Sequence, residues 1–173
     1  MWIYLKSMVS YFLFVTENAM GNIEMEIYTI GYEGLTPKHF LSMLNRYEIS
    51  IVADVRQLPL SRKQGFSKRS LSESLANENI RYVSFSRLGT TKEMRNELKE
   101  TGDYATLFNK YRKSIVGKYE DLDEICALLK SNEKVALLCF EHDPDYCHRK
   151  IVAEEVRKRD GNGLKIKHIQ PII

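Results

Sequence analysis

Apolar residues recur along this chain in two alternating patterns. Short, nearly unbroken aliphatic runs mark strands covered on both faces: ISIVADV at residues 49–55 and KVALLCFE at 134–141. IEMEIYTIG (23–31), IRYVSFS (80–86) and LKIKHIQ (164–170) read as further strands. Between them the spacing becomes helical. Pro37 at a first helical position after Thr36, followed by Phe40, Leu41 and Leu44, predicts one helix. Ser70 and Glu73 read as a capping box that opens a second, ending near Asn79. Tyr104, Leu107, Phe108, Tyr111 and Ile115 form one apolar stripe, and Leu122, Ile125, Cys126 and Leu129 form another. A last helix is expected from Cys147 to Arg159, stopped by Gly161.

Strands alternating with helices in this order imply right-handed crossovers. The expected fold class is α/β, a three-layer α/β/α architecture with a mainly parallel sheet. Residues 23–173 are expected to form one domain, with residues 1–22 as an N-terminal extension, either an extra strand or helix or upstream sequence added by an early start codon, since Met20 and Met25 precede the first strong element. The extension is apolar, but Lys6 interrupts it. Its longest uncharged stretch, Ser7 to Thr16, is far below the roughly 18 residues a membrane span requires, so no membrane partner is expected. Ligands of such sheets bind beyond the carboxyl ends of the strands. The segments lying there, residues 31–34, 54–69, 86–91 and 139–149, should therefore meet on one edge.

Composition excludes little beyond disorder. The chain has 173 residues, 43% hydrophobic and 28% charged, and a formal net charge of only +3. Charge matters locally. Five basic residues and no acidic one lie between Arg56 and Arg69: Arg56, Arg62, Lys63, Lys68 and Arg69. This loop exceeds the surplus of the whole chain, and with Phe66 as a stacking aromatic it would suit a phosphate backbone. The alternative is a solvated loop with Phe66 tucked into the core.

CFEHDPDYCHR, residues 139–149, holds two of the three cysteines and two of the four histidines. An odd cysteine count argues against a disulfide framework and for a reducing cytoplasm. Cys126, in a helical stripe, reads as packing. For the rest, several chemistries compete. Cys147, His148 and Arg149 at a helix start would bind an anion. Cys139, Glu141, His142 and Cys147 are candidate metal ligands, together with His148, although Cys147 and His148 are adjacent, which counts against both serving one tetrahedral ion. Cys147 beside His148 would be a thiol nucleophile with its base. Cys139 suits that role less, because Glu141, Asp143 and Asp145 should raise its pKa. Asp54 and Glu141 each end a strand, where two carboxylates could hold a divalent metal against a phosphate gripped by Arg56 and Arg149. They could equally serve only to neutralise those arginines.

The ordered motifs TIGYEG, VADVRQLPLSR, GFSKRSL, IRYVSFSRLG, GDYATLFNKYR and LLCFEHDPDYCHRKIVAEEV resemble the domain of unknown function 488 family over residues 28–158. That resemblance implies a compact α/β domain. It also implies a polar site built from Asp54, Arg56, Cys139, Glu141, Cys147, His148 and Arg149, and it brings no activity with it. Many family members carry a His-Ser pair where this chain has Tyr32 and Glu33.

The leading expectation is a pocket for a phosphorylated small molecule or nucleic acid. Arg56 and Arg149 would contact the anion, and Arg62, Lys63, Lys68 and Arg69 would track a backbone. Asp54, Glu141 and His148 would act as metal ligands or acid–base groups, with a divalent metal as cofactor. A rival is a thiol-dependent enzyme using Cys147 and His148. A third reading is a non-catalytic module whose basic loop docks on an acidic partner. The oligomeric state stays open.

Overall fold

A computed structural model describes residues 25–161 and 163–170. The expected extension over residues 1–22 lies outside the described residues. Five strands form one sheet: β1 (Glu26–Gly31), β2 (Ile51–Asp54), β3 (Arg81–Ser84), β4 (Val135–Cys139) and β5 (Lys165–Ile169). Their order is β3-β2-β4-β1-β5, and every pairing is parallel. The described residues also form six α-helices: α1 (Pro37–Arg46), α2 (Lys68–Asn77), α3 (Lys92–Thr101), α4 (Tyr104–Ile115), α5 (Tyr119–Lys130) and α6 (His148–Asp160). The architecture is the three-layer α/β one expected from the alternating pattern. None of the described helices is long and apolar enough to cross a membrane.

The two-residue period of a strand divides the core into two halves. On one face Tyr28, Ile30, Val52, Ala136 and Leu138 pack against Phe40 and Leu44 of α1 and Leu71 and Leu75 of α2. On the other, Ile27, Ile51, Ala53, Val135, Leu137 and Cys139 pack against Tyr111 of α4, Ile125 of α5 and Val152 of α6. Both faces of β4 are therefore buried, which is why its sequence is apolar without interruption. Cys126 packs in the second half as expected, with its thiol toward the Val156 carbonyl.

Local chemistry sets the helix starts. Thr36 caps α1 by accepting from the His39 N–H at 3.2 Å, and Pro37 occupies the first position as expected. The second helix departs from expectation. It begins at Lys68 with Ser67 as N-cap, so Ser70 lies inside it, and Glu73 bonds Arg69 instead of closing a capping box. The reason is tertiary. Phe66 is fully buried and its carbonyl is held by Arg56 at 2.9 Å, so the chain is already anchored where the helix begins. The helix ends at Asn77, and Asn79 takes a left-handed conformation at φ 60° before β3.

Connections leaving β1 and β2 pass to the α1/α2 face, whereas the helix after β4 lies on the opposite face. The carboxyl end of β4 thus sits between chains that leave in opposite directions, where an open parallel sheet forms a crevice.

Candidate functional site

A cleft of about 490 Å³ opens at that point. Tyr32, Arg56, Gln57, Leu58, Leu60, Arg62, Thr90, Cys139, Phe140, Glu141 and His148 line it, so all four loop segments marked in the sequence contribute. Arg95 and Lys99 of α3 complete it. Those two cations were not legible in the local charge count, because Glu93, Glu97 and Glu100 balance them and Lys92 along the helix. Helical spacing separates the signs. Residues 95 and 99 share a face, while Glu97 reaches Lys110 of α4 at 2.6 Å. Arg95 is seated by Gln57 Oε1 at 3.1 Å and by the Thr90 carbonyl.

Two close glycine contacts shape the walls. A Cβ on Gly31 would lie 1.8 Å from the Glu141 carbonyl oxygen, and one on Gly89 would lie 2.0 Å from the Gln57 nitrogen. Only glycine lets the β1 loop meet the 140s loop, and the 86–91 loop meet the basic loop.

The α1/α2 side of the cleft is organised by one ion pair. Arg56 donates from Nε to Asp54 Oδ1 at 2.8 Å and from Nη2 to Oδ2 at 2.6 Å. Its Nη1 reaches the Tyr32 hydroxyl at 3.0 Å. Burial works against the Arg56 cation, but the bonds to Asp54 outweigh it and raise its pKa. The Asp54 carboxylate also accepts from the Tyr82 hydroxyl at 2.6 Å, and burial followed by this carboxylate raises the Tyr82 pKa. Asp54 is fully buried, with both oxygens occupied. It does not stand beside Glu141 as a second metal-binding carboxylate: it shares a sheet face with Val52, whereas Cys139 and the thiol cluster lie on the other.

The opposite side is a cluster of four donor groups. Cys139 ends β4, Glu141 follows it, Cys147 is the N-cap of α6 and His148 its first residue. One ligand atom from each lies within 4.8 Å of all the others. The thiols of Cys139 and Cys147 donate to Glu141 Oε2 at 3.1 and 2.9 Å. His148 Nε2 is 3.1 Å from the Val55 carbonyl, which can only accept, so in the neutral ring Nδ1 is the lone-pair nitrogen facing Cys139 Sγ at 3.7 Å. Tyr111 packs edge-on against this ring with centroids 5.2 Å apart.

Adjacent residues serve one cluster here because the backbone changes between them. Cys147 is extended (φ −132°, ψ 135°) and His148 is helical, which turns the two side chains to the same side. His142, expected among the ligands, lies outside the group; its main-chain N–H is bound by Glu33 at 2.9 Å.

Burial is the chief influence on the thiols, pushing Cys139 up and Cys147 well above the ordinary thiol pKa. The helix start does not make Cys147 a poised thiolate, because it is 1% exposed and faces a carboxylate. Burial opposes ionisation of Glu141 too, yet the two thiol bonds and His148 outweigh it and hold its pKa below the usual value. For His148, burial lowers the pKa, but Cys147, Glu141 and the Val55 carbonyl together raise it.

The remaining expected residues are dispersed. Arg149 is completely buried and cannot meet a ligand in the cleft; it ties down the loop by donating to the Glu141 carbonyl, to the His142 carbonyl at 2.8 Å and to Thr29. Phe66 is equally buried, stacked on Tyr32 with centroids 4.4 Å apart, so it is a core residue and not a platform for bases. Lys63 reaches back to the Tyr32 carbonyl at 3.0 Å. Lys68 and Arg69 are exposed on the first turn of α2 and do not line the cleft.

A family model described as domain of unknown function DUF488 matches residues 36–156. No curated protein and no solved structure gives a significant match.

Proposed function

The chain belongs to the DUF488 family, whose description names no activity, and we propose that the cleft at the carboxyl end of β4 binds a phosphorylated small molecule. The observation that carries this reading is the convergence of Arg62, Arg95 and Lys99, with the Asp54-paired Arg56 behind them, on a cleft in which Glu141 is the one lining carboxylate among the described residues. A guanidinium held in place by another side chain suits a tetrahedral oxyanion, and Arg95 is held in this way by Gln57, whereas the Arg56 fork is already given to Asp54. Gln57 and Thr90 add neutral polar groups. The exposed side chains of Leu58, Leu60 and Phe140 at the rim offer apolar contact to an organic body attached to the phosphate. A volume of about 490 Å³ matches a small ligand better than a polymer. A nucleic-acid track would in addition need Lys68 and Arg69, which lie off the cleft.

Calorimetric titration of the full chain with inorganic pyrophosphate and with a nucleoside monophosphate tests this, at low and moderate salt. Saturable binding that weakens as salt rises is the expected result. Arg95→Ala or Lys99→Ala should each lower affinity about tenfold, the equivalent of roughly 1.4 kcal/mol for one charge-assisted contact. Lys68→Ala and Arg69→Ala should leave it unchanged. Absence of saturable binding at low ionic strength overturns the proposal. Binding of a single-stranded oligonucleotide that depends on Lys68 and Arg69 would overturn it in favour of a nucleic-acid ligand.

A further inference from the structure

Cys139, Glu141, Cys147 and His148 are an unusual set to find in contact. Two thiols are weak donors, yet among the described residues they are the side-chain hydrogen-bond partners of the Glu141 carboxylate, which no guanidinium or ammonium group meets. Arg149 shows the reverse imbalance. It is a completely buried cation whose hydrogen bonds, among the described residues, all go to neutral oxygens of Thr29, Glu141 and His142. A carboxylate that meets no guanidinium or ammonium group lies in the loop, and a guanidinium that meets no carboxylate lies at the start of α6 that follows it.

We propose that Cys139, Cys147, His148 and Glu141 form a binding site for a thiophilic divalent cation, zinc foremost. Two sulfurs, one imidazole nitrogen and one carboxylate oxygen are a donor set that zinc accepts in tetrahedral geometry. Zinc bonds of about 2.0–2.3 Å place tetrahedral donors roughly 3.3–3.8 Å apart. Three of the separations here are 2.9, 3.1 and 3.7 Å, and all fall within 4.8 Å, so the third already fits and the others reach tetrahedral spacing by side-chain shifts of less than about 1 Å once the thiol protons leave. The supporting contacts point the same way. A metal-ligating histidine characteristically donates its other ring N–H to a carbonyl or carboxylate, and His148 Nε2 is already on the Val55 carbonyl with Nδ1 aimed into the cluster.

Binding breaks two S–H bonds, forms two metal–sulfur bonds and releases two protons to water, while Glu141 and His148 donate lone pairs. A dication with two thiolates and one carboxylate carries a net charge of −1. The Arg149 guanidinium, bonded to the Glu141 carbonyl, would then have its missing counter-charge. Because Cys139, Glu141 and His148 also line the cleft, the ion would sit at its floor with a route to solvent. Metal uptake requires no anion, so this inference stands independently of the phosphate reading.

Titration of the full metal-free chain with cobalt(II), followed by zinc, provides the test. Thiolate-to-cobalt charge-transfer absorption should grow to saturation at about one equivalent and be abolished by zinc. Cys139→Ser and Cys147→Ser should each lower the band and weaken affinity at least about 100-fold. His142→Ala should change neither. No charge-transfer band in the folded wild-type chain overturns the proposal, as does a band that survives in the double serine variant. Should the serine variants not fold, the wild-type titration decides alone, joined by a rise in its melting temperature with zinc that follows mass action.

Discussion

Replacing Asp54 by alanine should cost about 3–5 kcal/mol of folding stability, because it leaves a buried guanidinium without its partner. The figure follows from the contacts. Asp54 Oδ1 accepts from Arg56 Nε at 2.8 Å and from the Arg56 main-chain N–H at 3.0 Å, and Oδ2 accepts from Nη2 and from the Tyr82 hydroxyl, each at 2.6 Å. Four bonds to an ionised acceptor, at about 1.5 kcal/mol each, would total roughly 6 kcal/mol. The cost of desolvating both charges in the native protein offsets part of this. For a chain of this length the loss corresponds to a fall in melting temperature of about 6–20 °C. Urea denaturation followed by circular dichroism measures it, with an unchanged m-value showing that both variants lose the same structure. The diagnostic comparison is Asp54→Ala/Arg56→Met, which removes both charges and should be at least about 1 kcal/mol more stable than the sum of the single losses. Asp54→Asn gives a milder form of the same perturbation if the alanine variant does not fold. A loss below about 1 kcal/mol for Asp54→Ala, or strict additivity in the cycle, would refute the view that this carboxylate anchors the site.

Gly31→Ala should destabilise by about 1–3 kcal/mol, since its new methyl would sit 1.8 Å from the Glu141 carbonyl and push the loop that carries Glu141 away from β1; an unchanged thermal melt would contradict that close approach. Cys139 and Cys147, 3% and 1% exposed, should react with a maleimide at neutral pH at least about a hundredfold more slowly than an exposed thiol. Mass-spectrometric mapping of the labelled cysteine checks this, and rapid native labelling of Cys147 would instead favour a thiol-dependent enzyme.

The parts of this protein that were legible in its sequence depend on short-range patterning. Val135 to Cys139 could be read as a strand buried on both faces because five successive residues are apolar, and Thr36-Pro37 announced a helix because cap and first turn are neighbours. The convergence of four loops followed from strand alternation alone. Where reading failed, a long-range contact had overridden a local signal. Ser70 and Glu73 match a capping box, but Phe66 and Arg56 had already determined where α2 begins. The basic loop looks like one patch in the sequence and is several things in space: Arg56 is a buried clamp, Arg62 lines the cleft, Lys63 holds the Tyr32 carbonyl, and Lys68 and Arg69 point to solvent.

The sequence by itself determined the layers, the parallel sheet and the edge on which the chemistry collects, because periodicity and the handedness of crossovers leave few other solutions. Tertiary structure alone decided the roles. Asp54 ends β2 and Glu141 follows the end of the adjacent β4, and in the sequence they look equivalent, but a two-residue period sends Asp54 to Arg56 on one face and leaves Glu141 among thiols on the other. Arg149 and Arg95 exchanged their expected importance for the same reason: a cation serves a ligand only where the fold leaves it a path to solvent, and burial is a property of neighbours that are distant in the chain.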